Sequence, residues 1–242
     1  MAEVAAPQGL PALDKFRLGK AYTVAQAARL AGTTPATVRR WLVGYEAIGH
    51  RMAPVFGTRG RRHEENLLQV SFLELVEIVV VARFRQGIGG RPVRLGRLRD
   101  AHAYARDVFG LTYPFASLNL RESGGHVMHE FDVGNPNGPR LALSLHGQWE
   151  LPGLVRTELQ HFDFDHERRP ADPFALRWFP RGRQVPIVVD PYVAAGRPTI
   201  YQRGVTIDTI VQRFRAGERI GDIAEDYELA IDLVEVAIGY AA

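Results

Sequence analysis

The sequence predicts an α+β fold that is mainly helical, and three observations support this prediction. Two capped helices joined by a glycine turn are indicated between Tyr22 and Tyr45. Three segments of the region 112–189 carry β-branched and aromatic residues with partial alternation, as half-buried strands do; they are residues 112–120, 126–133 and 140–145. Three short apolar-periodic stretches follow Thr206. We therefore predict a flexible arm (1–20), a helical head (21–111), a small β-rich connecting region (112–189) and a C-terminal three-helix domain (190–242).

Composition limits the class of protein. The 242 residues suffice for two or three small domains, and the 46% apolar share is that of an ordinary globular protein. No apolar run reaches the roughly 18 residues of a membrane span, and the N-terminus lacks the pattern of a secretory signal. The absence of cysteine excludes disulfides and zinc–thiolate sites. We expect a cytoplasmic protein with no cofactor.

Charge is distributed unevenly along the chain. Residues 1–110 hold 17 basic and 9 acidic side chains, a net +8, whereas residues 111–185 are near neutral at −1. Residues 186–242 carry a net −4. A basic head followed by an acidic tail predicts that only the head meets a polyanion.

The stretch YTVAQAARLAGTTPATVRRWLVGY predicts a helix-turn-helix. Thr23 and Gln26 have the spacing of a capping box, and Gly32 suits the left-handed conformation of a tight turn. Thr34 is a cap for the second helix, and Pro35 fits its first position, where no N–H is needed. The agreement of caps, glycine and proline in one stretch favours this interpretation.

The second helix of this pair has the features of a recognition helix. Val38, Trp41 and Leu42 are predicted to point inward, and the outward positions are Thr37, Arg39 and Arg40. Such a helix enters the major groove, where arginine contacts guanine or phosphate and threonine contacts phosphate or a thymine methyl. The predicted DNA contacts on this helix are Thr34, Thr37, Arg39 and Arg40. The alternative is a buried helical hairpin with solvated arginines.

A basic loop and two longer helices follow. Turns are predicted at Pro54, Gly57 and Gly60, with Val55–Phe56 as a short strand. We predict that the loop arginines lie on the DNA backbone or in the minor groove; they are Arg51, Arg59, Arg61 and Arg62. Ser71 caps a core helix with a wide apolar stripe, and Pro92 opens another whose first turns are rich in arginine.

These residues resemble a known family. AYTVAQAARLAGTTPATVRRWL is similar to the start of MerR-type regulators, and VSFLELVEIVVVARFRQGI resembles the helix that follows their wing. The resemblance covers roughly the first 110 residues and implies a winged helix-turn-helix. The chain departs from the family in having no cysteine, no long heptad helix at the C-terminus and a long wing region. The resemblance therefore implies no inducer.

The connecting region raises the question of a metal site, because it contains the stretch from His161 to His166, HFDFDH. On a strand, His161, Asp163 and Asp165 share one face and the aromatic residues the other. That alternation is typical of a half-buried strand with polar residues outward, and we favour it over a metal. A catalytic carboxylate pair is no better supported, and no motif indicates an enzyme.

The tail predicts three short helices. Thr206 caps the first, with Ile207, Ile210, Val211 and Phe214 inside, and Ile231 to Ile238 form the last. The outward residues are acidic: Asp208, Glu218, Asp222, Glu225, Asp226, Glu228, Asp232 and Glu235. Such a surface repels phosphate, so we predict contact with a partner or self-association instead of a second DNA contact.

The tail resembles a second family. RPTIYQRGVTIDTIVQRFRAGERIGDIAEDYELAIDLVEVAIGYA is similar to the small bacterial domain family DUF433 over roughly residues 190–242. That resemblance implies an antitoxin of the VapB type, which represses its own operon as a homodimer on operator DNA and neutralises a PIN-like ribonuclease toxin. An inserted arginine would block the toxin's carboxylate site, with candidates Arg197, Arg203, Arg213 and Arg215. The alternative is a stand-alone MerR-like regulator with a ligand-sensing middle region.

Overall fold

The structure, a computed structural model, describes residues 15–47, 49–57, 68–87, 92–117, 160–167 and 173–241. Within these residues the fold is mixed, with eight α-helices and four two-stranded antiparallel sheets. The predicted combination of helices with small sheets is confirmed at this level. Residues 1–14 of the predicted arm and the strands predicted at 126–133 and 140–145 lie outside the described residues.

The described part of the head contains five helices and two small sheets. Its helices are α1 (Lys15–Leu18), α2 (Val24–Leu30), α3 (Pro35–Val43), α4 (Phe72–Gln86) and α5 (Leu95–Phe109). Its strands are β1 (Tyr22–Thr23), β2 (Tyr45–Ala47), β3 (His50–Met52) and β4 (Gln69–Val70). Strand β1 pairs antiparallel with β4, and β2 pairs antiparallel with β3 as a hairpin.

The caps predicted for α2 and α3 are confirmed. The Thr23 hydroxyl accepts the Gln26 N–H, and the Gln26 side chain accepts the Thr23 N–H in return. Gly32 adopts a φ of +62°, which the turn into α3 requires. Thr34 caps α3 through the N–H of Thr37, with Pro35 in the first turn.

Helix α4 is the centre of the head. Its side chains are buried around the whole circumference from Phe72 to Ala82, and Phe84 is buried as well. Ser71 and Glu74 form a capping box at its start, and Gly87 ends it with a left-handed φ of +87°. Helices α1 and α2 and strand β6 (Ala175–Trp178) pack against it, which explains burial on every side.

Two predicted boundaries in the head differ from the structure. Val55 and Phe56 lie in a turn instead of a strand, because the Val55 N–H donates to the Trp41 carbonyl at 2.8 Å and both side chains are buried. Helix α5 begins at Leu95, three residues after Pro92. Val93 is held outside that helix by its N–H bond to the Phe84 carbonyl at 2.9 Å.

The described part of the connecting region packs on the core of the head. Residues Pro114–Ala116 form a 3₁₀ turn where the sequence predicts a strand, and Ser117 bridges to Phe174. Strand β5 (Phe162–Phe164) pairs antiparallel with β6, placing Phe162 opposite Trp178. Both side chains belong to the same apolar cluster as α4.

The polar-outward prediction for residues 161–166 is wrong at Asp165. The strand register shifts between Asp163 and Phe164, so the alternation breaks and the Asp165 side chain turns inward. One Asp165 oxygen accepts a hydrogen bond from the Arg17 guanidinium at 2.6 Å and the other accepts the Phe174 N–H at 2.6 Å. Arg17, which the sequence places in the arm, lies on α1 and is as buried as Asp165.

The tail forms a second apolar cluster from residues 187 to 237. It contains β7 (Ile187–Val188) paired with β8 (Thr199–Ile200), and helices α6 (Ile207–Arg215), α7 (Ile220–Asp226) and α8 (Ile231–Ala241). The three predicted helices and the Thr206 cap are confirmed. Two predicted core residues are wrong, since Phe214 is 40% and Ile231 55% exposed near the ends of their helices.

Candidate nucleic-acid interface and partner surface

Helix α3 and its capping residue carry four of the residues predicted to contact DNA. Val38, Trp41 and Leu42 are buried in the core, so the helix rotation is fixed. Thr34 and Arg40 are exposed, and the remaining two predicted contacts, Thr37 and Arg39, are half-buried. The structure therefore places all four predicted residues of α3 away from the core and along two turns of one helix.

The two threonines bond to each other. The Thr34 and Thr37 hydroxyl oxygens lie 2.9 Å apart, and the Thr37 N–H donates to the Thr34 hydroxyl at 3.2 Å. The Thr34 hydroxyl is therefore engaged in capping the helix. In this role it accepts the Thr37 N–H, a backbone donor at the start of α3.

Arg40 connects α3 to the following hairpin. Its guanidinium carbon lies 5.5 Å from the centroid of the Tyr45 ring on β2. A cation over an aromatic face at this distance is attracted by the ring quadrupole while its N–H groups remain available at the edges. Tyr45 thus orients the more exposed of the two arginines of α3.

The hairpin β2–β3 carries one predicted contact. Arg51 is exposed and lies directly opposite Glu46 in the strand register. A carboxylate at a cross-strand position partly offsets the arginine's charge toward phosphate. The other three arginines predicted for this loop lie outside the described residues; they are Arg59, Arg61 and Arg62.

Some arginines of the head have roles that the sequence analysis missed. Arg99, one of the arginines in the first turns of α5, donates from Nε to the Ala53 carbonyl at 2.9 Å and so holds the segment after β3. Arg29 in the last turn of α2 is 67% exposed and 3.9 Å from Asp208 of the tail. The sequence signal for the exposure of Arg29 was its position opposite the apolar residues of the first predicted helix.

The predicted partner-binding arginine Arg213 is engaged within the tail. It donates to the carboxylates of Glu218 and Asp226 and lies 5.2 Å from the centroid of the Tyr227 ring. These hydrogen bonds, first from Glu218 and then from Asp226, raise the pKa of Arg213 above its usual range. The residue ties α6 to the turn that follows it and to α7.

The other predicted arginines lie on the tail surface. Arg215 ends α6 and is exposed, and Arg203 is exposed in the turn after β8. Arg197 is exposed, with its Nε donating to the Ala194 carbonyl at 3.2 Å. The acidic residues of α7, of α8 and of the turn between them are exposed as the sequence predicts, namely Asp222, Glu225, Asp226, Glu228, Asp232 and Glu235.

Head and tail meet at a buried hydrogen bond. The Tyr22 hydroxyl of β1 donates to the Gly196 carbonyl at 2.9 Å. Burial, and then the nearby charge of Asp190, raises the pKa of Tyr22 above its usual range, so the hydroxyl stays a donor. The loop that receives it is unusual, because Ala194, Ala195 and Gly196 all have positive φ angles of 47°, 54° and 75°.

None of the helices in the described part of the chain combines the length and the apolar character needed to cross a bilayer.

The tail matches a known protein family. Residues 187–241 match the family described as "Protein of unknown function (DUF433)". The resemblance stated from the sequence, over roughly residues 190–242, is therefore confirmed with nearly the same boundaries. The matched segment coincides with β7, β8 and helices α6–α8.

Relatives span almost the whole chain. The uncharacterised protein Rv2308 of Mycobacterium tuberculosis is 28% identical over 237 residues, covering 90% of this chain and 89% of that protein. A protein of the same organism described as "Putative antitoxin VapB45" is 24% identical over 228 residues, covering 90% and 92%.

A solved structure shares the fold. The crystal structure of Rv2018 from Mycobacterium tuberculosis aligns with a TM-score of 0.68 at 22% identity, covering 90% of this chain and 97% of that one. The arrangement of head, connecting strands and tail is therefore found as a unit in another protein.

Proposed function

We propose that this protein is the antitoxin of a type II toxin–antitoxin pair, which binds a PIN-like ribonuclease toxin and represses its own operon. The observation that carries the proposal is the similarity, over nine-tenths of the chain, to the protein described as "Putative antitoxin VapB45". The protein acts by binding and not as an enzyme. It works in the cytoplasm as a homodimer, which places two recognition helices on a two-fold symmetric operator.

The head supports the DNA-binding half of the proposal. Two short capped helices joined at Gly32 present Arg39 and Arg40 along one side of the second helix, and a two-stranded hairpin follows at once. This order is that of a MerR-like winged helix-turn-helix, in which the second helix reads the major groove. The excess of basic residues in the head supplies the attraction to phosphate.

The tail supports the partner-binding half. Its exposed surface is acidic, which disfavours nucleic acid, and it presents Phe214 and Ile231 to solvent. Apolar side chains surrounded by charges are typical of a protein-binding surface. Arg197, Arg203 and Arg215 are exposed arginines of the tail that suit a carboxylate-lined toxin site, whereas Arg213 is occupied within the tail.

The DNA-binding half is tested by operator binding at several salt concentrations. Replacing Arg39 and Arg40 together with alanine should weaken binding to the promoter of the protein's own operon by about 10- to 100-fold and reduce the salt slope by about one to two. The matched control is Arg203→Ala with Arg215→Ala, which removes the same charge from the tail. Equal losses in the two double variants would show that net charge, and not α3, governs binding.

The partner-binding half is tested by growth. Cells expressing the neighbouring gene of the operon alone should stop growing, and co-expression of this protein should restore growth. The Arg39/Arg40 double variant should still restore growth, because its tail is intact. If the neighbouring gene is harmless, the antitoxin function is wrong and a stand-alone regulator with a ligand-sensing middle region becomes the better explanation.

A further inference from the structure

A cavity of about 340 Å³ lies where the head meets the tail. Its walls are the end of α2 with the following turn, the last turn of α4, residues 180–181, the start of α6 and the last turn of α8. Sites for small molecules have volumes of roughly 300–1,000 Å³ and are common at such domain junctions. The size and position are therefore those of a ligand site.

The cavity is basic. Arg29, Arg83 and Arg181 line it, and Asp208 is the one carboxylate among its described lining residues. The Arg29–Asp208 distance is 3.9 Å, which is long for a charged hydrogen bond. The guanidinium groups of Arg29 and Arg181 beside one loosely paired carboxylate leave a net positive charge that favours an anion.

The remaining lining adds an aromatic ring and apolar surface. The Arg181 guanidinium carbon lies 5.8 Å from the centroid of the Tyr240 ring. Burial raises the pKa of Tyr240, so its hydroxyl remains neutral and available as a donor. Leu30 and Ile207 contribute apolar side chains. The site thus offers charged donors, a neutral donor and an apolar wall.

The turn between α2 and α3 forms part of this wall. Gly32 lines the cavity, and its carbonyl accepts a hydrogen bond from the Gln86 side chain of α4 at 3.1 Å. Arg29 belongs to α2, while Asp208 and Tyr240 belong to helices α6 and α8. A molecule in the cavity would contact the element that precedes α3 and two helices of the tail at once.

We propose that this junction cavity binds a small anionic molecule that bears a phosphate or carboxylate group together with a flat or apolar portion. The anionic group contacts Arg29 and Arg181, and the remainder lies against Tyr240 and Ile207. Because the walls come from both head and tail, binding stabilises the packing of one on the other. The proposal stands whether or not the protein is an antitoxin.

The first test uses inorganic pyrophosphate, titrated into the full-length protein by calorimetry at low salt. We expect saturable binding with a Kd of about 1 mM or tighter, weakened at least about tenfold by Arg29→Gln and by Arg181→Gln. The matched control is Arg203→Gln, which removes one exposed arginine outside the cavity. No saturable binding to the unaltered protein, or an equal loss in the control, would overturn the proposal.

The second test changes the shape of the cavity and leaves its charge intact. Ala241 lines the cavity at the exposed end of α8, so Ala241→Trp should fill part of the space and abolish pyrophosphate binding without disturbing the core. Ala216→Trp, at an exposed position after α6, is its control and should bind normally. Unchanged binding in Ala241→Trp would mean that the arginines act as an open surface patch.

Operator DNA is the competing source of phosphate. If Arg29→Gln and Arg181→Gln weaken DNA binding while pyrophosphate does not bind, these arginines contact the DNA backbone and the small-ligand proposal is wrong. If pyrophosphate binds and raises the Tm of the unaltered protein but not of Ala241→Trp, the cavity is confirmed as the site. Failure of the growth test under the proposed function would leave this result unaffected.

Discussion

Helices α3 of the head and α6 of the tail begin in the same way, yet they present different surfaces. Each starts with a threonine whose hydroxyl accepts the N–H of a second threonine three residues on, Thr34 to Thr37 and Thr206 to Thr209. In both pairs the two hydroxyls also bond to each other, at 2.9 and 2.6 Å. Local sequence therefore produces the same helix start in both regions.

The two helices differ in what surrounds their arginines. Arg40 of α3 is exposed beside Tyr45, whereas Arg213 of α6 is enclosed by Glu218, Asp226 and Tyr227. An arginine on an amphipathic helix is thus left exposed to solvent in one case and is part of the fold in the other. The difference comes from acidic residues on α7 and the turn before it.

The cores differ in the sequence distance over which they form. The head core joins segments that are far apart in the chain, as the ion pair of Arg17 with Asp165 shows across 148 positions. Among the residues that the structure describes, the buried members of the tail core all lie between 187 and 237. We therefore expect the head to depend on a few long-range contacts and the tail on the periodicity of its helices.

The largest expected effect is in the head. Asp165→Ala should lower the free energy of unfolding by about 3–5 kcal/mol, because it leaves the Arg17 guanidinium buried without its carboxylate. Urea unfolding would measure this loss. Asp163→Ala is the control, since the Asp163 side chain is 28% exposed between Arg183 and Arg177 and its loss should cost only about 1 kcal/mol. Similar losses in the two variants would contradict a special role for the buried pair.

An intermediate effect is expected at the junction of head and tail. A Cβ at Gly196 would lie 2.0 Å from the Tyr22 hydroxyl oxygen, and the φ of Gly196 is +75°. Gly196→Ala should therefore cost roughly 2–5 kcal/mol through the clash with a buried ring and backbone strain together. Differential scanning calorimetry would follow the loss.

Gly49 provides the matched control for this variant. It has a φ of +73° in the β2–β3 hairpin, and a Cβ there meets no atom within 4 Å. Gly49→Ala should cost only about 1 kcal/mol, the strain of the left-handed backbone alone. Equal losses of stability in the two glycine variants would mean that the Tyr22 side chain moves away at little cost, which contradicts a tightly packed junction.

The smallest effect is expected at the two helix caps. Thr34→Ala should cost about 0.5–1 kcal/mol and Thr206→Ala about 1–2 kcal/mol, since water replaces the hydroxyl at exposed Thr34 but not at the 8% exposed Thr206. Chemical unfolding of both variants would measure this difference. A larger loss for Thr34→Ala would reverse the comparison and indicate a further role of that hydroxyl within the head.

Local features were predictable from the sequence because short-range chemistry determines them. The capping residues Thr23, Ser71 and Thr206 and the ending glycine Gly87 act within one helical turn, so their roles were visible in the residue pattern. The tail family was visible for a related reason, since its core is local and its motifs follow one another without long insertions.

The residues that were misplaced depend on the tertiary packing and not on the local residue pattern. Asp165 turns inward because β5 shifts its register against β6 and because Arg17 of α1 donates a hydrogen bond to it. Neither the register shift nor the contact with Arg17 can be predicted from residues 161–166. Phe214 and Ile231 fit an apolar period, yet they lie near the ends of α6 and α8, where no neighbouring element covers them.

Residue type and spacing over a few positions were enough to predict helices α2–α4 and α6–α8, the capping residues of α2, α3, α4 and α6, the basic head and the acidic tail. The exposure of individual arginines, the burial of Asp165 and the position of the cavity between head and tail depend on tertiary contacts. Burial and charge pairing depend on which elements approach each other, and that approach joins residues more than a hundred positions apart.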